Sequence, residues 1–186
     1  MTNNYKTARI IMIITIILST FFGNYRSIST ETKKVLQVFE IGENKDGLCA
    51  RNDIKDRYND SMNLLSLANR YSIQNESTST LTQVTQSIFI ELGSSSSAKS
   101  ITNLYKLNNE MSIAFNKAYD ILISELSDSD KKLAQGLYDD FHSSANILSH
   151  SEYNRYAATY NQMINSFPNN LLSITNQAKV LPLFGE

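Results

Sequence analysis

Residues 8–22 of this chain read A-R-I-I-M-I-I-T-I-I-L-S-T-F-F, and that run limits what the rest can become. No charge falls between Ile10 and Phe22, and the only polar side chains are Thr15, Ser19 and Thr20. Such hydroxyls are tolerated in lipid because they bond back to the helix. The run is shorter than the ~20 residues that cross a hydrocarbon core. Its flanks lengthen it: Tyr5 and Tyr25 suit the interfaces, and Lys6, Arg9 and Arg26 can reach headgroups. The rival reading is a signal peptide, with a basic start and Ile10–Leu18 as its apolar part. Cleavage after Gly23 puts Phe21 where a small residue belongs, so a retained anchor over residues 8–25, behind a tail of residues 1–7, is expected. Lys6 and Arg9 precede the span, while Arg26 is followed by Glu31 beside Lys33 and Lys34. The positive-inside rule then favours an extracytoplasmic domain.

Residues 26–168 carry a 3.6-residue apolar period in four stretches, followed by a tail over 169–186. The first, Ser29 to Tyr71, places Val35, Val38 and Phe39 on one stripe and Ile54, Tyr58, Leu65 and Ala68 on another. Gly42 and Gly47 predict a break between them. The second, Thr78 to Leu92, aligns Leu81, Val84, Ile88 and Leu92. It is rich in Thr and Ser, so packing must make it helical. Gly93 and four serines form a loop. The third, Ala98 to Leu126, aligns Leu104, Leu107, Met111, Phe115, Ala118 and Leu122, and residues 127–130 offer N-caps for the next helix. The fourth runs from near Asp130 through Leu133, Leu137, Phe141, Ser144 and Leu148, with a wobble at 149–151, to Phe167 before Pro168. A helix of that length reaches roughly 50 Å. With 2 Pro and 6 Gly, the expectation is all-α: an elongated antiparallel bundle of long helices with an N-terminal transmembrane helix.

Tyr153, Tyr156 and Tyr160 lie along one face of the fourth stretch, with Phe167 seven residues beyond Tyr160; Asn154 and Asn161 repeat on the adjacent face. This strip and Pro168 form the candidate seam. Either its rings and amides pack against neighbouring helices, or it is a recognition surface for another membrane protein. The apolar residues Leu171–Ile174 and Val180–Phe184 are expected either to fold back on the bundle or to lie at the membrane surface.

Taken together these motifs resemble the LemA family of bacterial membrane-anchored helical proteins. The N-terminal span comes first, then R-Y-N-D-S-M-N-L at residues 57–64, similar to the family's R-Y-D-L-I-P-N-L. The pair Tyr153-Asn154 and Tyr160-Asn161, followed by Ile164 and Phe167-Pro168, is similar to the family's paired Y-N motifs before I-x-x-F-P. Leu181-Pro182-Leu183-Phe184 is the last element. Met62 stands where the family has proline, so the resemblance is to a divergent member. It implies a long-helix bundle on an anchor and brings no enzyme activity.

The remaining chemistry is sparse. The single cysteine, Cys49, excludes an intramolecular disulfide framework, and no orienting signal makes it a nucleophile. His142 and His150, eight residues apart, are too far apart on one helix to share a metal directly. Gly93 leads into serines with no lysine behind it, so no phosphate-cradling loop is present. Asp56 and Asp60 read as a solvated face without a raised pKa. A net charge of −1 gives no basis for nucleic-acid binding. No metal or cofactor is called for. The expectation is a non-enzymatic module interacting with membrane or envelope proteins, with the bilayer as its other partner. The alternatives are an accessory subunit of a membrane protease and a small-ligand sensor domain.

Overall fold

The structure, a computed structural model, describes residues 2–170 and 178–185, with side chains from residue 4 onward. Among the described residues six helices follow in order: α1 Thr2–Ile41, α2 Ala50–Arg70, α3 Glu76–Leu92, α4 Ala98–Glu125, α5 Asp128–Ser149 and α6 Glu152–Asn165. The described residues contain no strand, and the fold is all-α.

Helix α1 contains the one described segment long and apolar enough to cross a membrane. Ile10–Leu18 project into open space, while Thr15 and Thr20 donate back to the Ile11 and Ile16 carbonyls, both at 2.9 Å. The same helix runs unbroken past residue 25 into the bundle, where Ile28, Val35, Val38 and Phe39 are buried. Forty residues at 1.5 Å each make it about 60 Å long. It ends where the glycines break it: Gly42 and Gly47 have φ of +83° and +82°, the left-handed region that side chains disfavour.

Short connections then fold the chain back repeatedly. Asn75 and Thr78 form a reciprocal capping box at the start of α3, and Ser97 and Ser127 accept from the backbone N–H of Ser100 and Asp130. Polar ties fix the antiparallel directions. Arg51, early in α2, pairs with Glu40 at 2.9 Å and donates to the Leu92 carbonyl at the end of α3. Arg70 and Tyr71, where α2 ends, meet Asp130, where α5 begins. Helix α2 packs chiefly on α5, α3 on α4, and α1 on α6. At the centre Phe115 and Phe141 stack with ring centroids 3.8 Å apart.

The fourth stretch differs from the sequence reading. It is two helices, broken at His150–Ser151, where Ser151 has extended backbone (φ −62°, ψ 149°), so no single helix of about 50 Å exists there. Burial explains why periodicity bridged the gap: Leu148 and Tyr153 both reach the core from either side of the corner. Leu133, placed on the core ladder by its spacing, is half exposed; Ala134 and Leu137 carry that turn instead.

Candidate functional site

The strip on α6 faces α1 and the C-terminal segment 178–185. Tyr153 is fully buried; its ring meets Phe39 of α1 edge-on at 5.2 Å, and its hydroxyl donates to the Pro182 carbonyl at 3.0 Å. Burial pushes that phenol well above its ordinary range. Tyr160 is buried two helical turns away, its hydroxyl 3.4 Å from Thr32 Oγ1 on α1.

The two asparagines hold backbone rather than side chains. Asn154 donates to the Phe184 carbonyl at 2.8 Å and accepts the Phe184 N–H at 2.9 Å. Asn161 does the same for Leu181, at 2.8 and 2.9 Å. The spacing accounts for this pairing. Seven residues advance an α-helix by ~10.5 Å, and three residues of extended chain span about 9–10 Å. Pro182, between the clamped residues, biases Leu181 towards extended backbone. Leu181 and Phe184 are both buried, the Phe184 ring lying 5.6 Å from Tyr105 and 5.6 Å from Tyr153. Segment 181–184 therefore belongs to the bundle core: of the two placements expected for it, the fold-back on the bundle is the one observed. The other apolar stretch of the tail, Leu171–Ile174, lies outside the described residues.

Tyr156 sits at the rim. Its hydroxyl donates to Glu43 at 2.6 Å, with Lys34 and Arg155 over its ring at 4.8 and 4.6 Å. That hydrogen bond, with help from Arg155 and Lys34, holds the Glu43 carboxyl below its usual range. Phe167 departs from the seam. Helix α6 ends at Asn165, and the extended backbone of Ser166 turns Phe167 outward, leaving it 80% exposed before Pro168.

A second polar cluster lies inside the bundle. Arg57 of α2 is buried; its guanidinium donates to Asn108 and, at 2.7 Å, to Ser112 of α4 and lies 4.1 Å from the Phe141 ring centroid. Burial lowers its pKa to about 10. Of the two aspartates expected on a solvated face, Asp56 is exposed and Asp60 is partly buried. Burial raises Asp60 to about 6, aided by Asp140 and Asp56, and burial raises Asp53 to about 6, aided by Asp56. Neither burial nor the approach of Asp140 is visible from spacing along α2.

Cys49 and His150 line one cleft, beside Asp53 and Tyr153. The thiol donates to the Glu40 carbonyl at 3.2 Å, and burial pushes its pKa up, which opposes thiolate formation. His150 Nδ1 is engaged with Ser149 and the Asn146 carbonyl, each at 2.9 Å. His142 contacts Asn116 of α4 at 3.0 Å. Among the described residues no three His, Cys, Asp or Glu side chains gather as metal ligands. Comparisons with family models, curated proteins and solved structures give no match.

Proposed function

We propose that this chain is a membrane-anchored helical module, a divergent LemA-like protein of the bacterial envelope, that engages other membrane or envelope proteins without catalysing a reaction. The observation that carries the reading is the continuity of α1. One helix holds both the lipid-compatible segment and the buried face formed by Val35, Val38 and Phe39. The bundle is thus fixed to the end of a rod rather than tethered by a flexible linker, a geometry suited to presenting one face at a set height above a bilayer. The Y-N and L-P-L-F motifs that support the family proposal meet in space, which gives their spacing a shared physical reason.

The span anchors the chain, and the bundle stands on the extracytoplasmic side. Protease treatment of intact, wall-stripped cells tests both points. The bundle is expected to be digested and a fragment containing residues 8–25 to stay with the membrane. Protection of the bundle, or its release in soluble form, refutes the arrangement. Crosslinking in the same membranes is expected to capture membrane or envelope proteins.

A further inference from the structure

Where α1 leaves the apolar run and enters the bundle, packing leaves a cavity of about 290 Å³. Its walls include Tyr25, Ser29, Thr32 and Lys33 of α1, Tyr160 of α6 and Lys179 of the C-terminal segment. Among the described residues that line it there is no carboxylate. Lys33 and Lys179 are exposed, and neither joins an ion pair among the described residues. Arg26, also exposed, precedes Lys33 by two helical turns and lies on the same face of α1. The Tyr160 side chain is 4% exposed, and its hydroxyl has Thr32 Oγ1 at 3.4 Å, longer than the ~2.5–3.0 Å of an ordinary hydroxyl hydrogen bond. Its proton is therefore available to a better acceptor. Paired ammonium groups and a buried hydroxyl donor, with no carboxylate to compete, suit a phosphate.

The height of the cavity selects which phosphate. Tyr25 stands about 4–5 Å along α1 beyond Phe22, where the apolar run ends, and Lys33 about 16 Å beyond it. The headgroup layer is about 5–8 Å deep on each side of the hydrocarbon. The cavity thus begins inside that layer and rises out of it. Because α1 is one helix from the apolar run to Ile41, that height is fixed.

We propose that this cavity binds the phosphate headgroup of an acidic phospholipid, with Lys33 and Lys179 on its anionic oxygens and the Tyr160 hydroxyl donating to one of them. The inference rests on the reading of the chain as membrane-anchored and deepens it by naming a lipid partner. A zwitterionic head is the poorer occupant, because its own cation meets the same lysines.

The test uses the full chain in a neutral detergent, titrated with phosphatidylglycerol carrying a fluorescent acyl chain. This lipid is expected to bind roughly tenfold or more tightly than phosphatidylcholine with the same label. Lys33→Gln with Lys179→Gln should remove that preference, and Lys33→Arg with Lys179→Arg should keep it. Both lysines are exposed, so the glutamine variant is expected to melt like the parent. Lys6→Gln with Arg9→Gln removes the same charge at the other end of the span and should leave the preference intact. Equal binding of the two lipids, a glutamine variant that keeps the preference, or an equal loss in the Lys6 and Arg9 variant overturns the proposal. Inorganic phosphate and glycerol 3-phosphate form a second arm. Displacement of the lipid by either at comparable concentration would assign the cavity to a free phosphate and overturn the lipid. Carbonate extraction separates the two failures. A chain that leaves the membrane sinks the anchored reading, whereas a retained chain without lipid preference sinks only this one.

Discussion

Asn161 takes both backbone polar groups of Leu181 at once, donating to its carbonyl at 2.8 Å and accepting its N–H at 2.9 Å. Asn161→Ala removes two hydrogen bonds, each worth ~0.5–1.5 kcal/mol net, so a loss of about 1–3 kcal/mol is expected. Asn161→Asp should cost more, because a carboxylate then faces the Leu181 carbonyl. Urea unfolding followed by circular dichroism measures both, and an alanine variant as stable as the parent refutes the clamp.

The buried Arg57 lends itself to a paired substitution. Arg57→Ala loses the packing on Phe141 and strands the buried Asn108 acceptor, and about 2–4 kcal/mol of destabilisation is expected. Arg57→Met with Asn108→Leu removes both partners and restores apolar volume, so it should recover much of that loss. A double variant worse than Arg57→Ala contradicts this account.

Two raised carboxyl groups set a pH dependence. Asp53 and Asp60 titrate near 6 in the fold against an ordinary 3.8, so the folded state holds more protons between those values. Their contribution favours the fold at low pH and is lost as pH rises through about 6. Glu43 and Asp130 are shifted down and act in the opposite sense, but only as pH falls below the ordinary carboxylate range. Melting temperature is expected to fall between pH 4 and 6.5, and Asp53→Asn with Asp60→Asn should flatten that slope. An unchanged slope refutes the assignment.

Gly42 and Gly47 share a left-handed conformation but not the same surroundings. A Cβ at Gly42 falls 2.6 Å from the Leu48 carbonyl oxygen, whereas at Gly47 its nearest neighbour is Asn52 Nδ2 at 3.7 Å. Gly47→Ala should cost about 1–2 kcal/mol for the backbone alone. Gly42→Ala should cost clearly more in the same denaturation experiment, and the reverse order refutes the reading.

The anchor can be tested with one charge. Ile14→Arg places an ion in the middle of the apolar run, at about 2.5–3.5 kcal/mol on insertion scales. Ile14 touches none of the core, so the variant is expected to lose membrane retention in carbonate extraction while its bundle melts normally. Full retention refutes the role of residues 8–25 as anchor.

Local chemistry was legible in the sequence because local forces write it. The apolar run, the break at Gly42 and Gly47, the serine loop and the cap at Ser127 all appear where period, propensity and capping place them. What tertiary structure decided is every relationship that period alone cannot encode. Leu148 and Tyr153 are both buried on either side of a corner, so α5 and α6 read as one helix until their packing on different partners separates them. Asp60 looks solvated until packing partly buries it, with the charge of Asp140 on α5 adding to the effect. The paired Asn154 and Asn161 mark a face, but their role depends on segment 181–184 returning to that face. Only there does the step of a helix match the step of an extended chain.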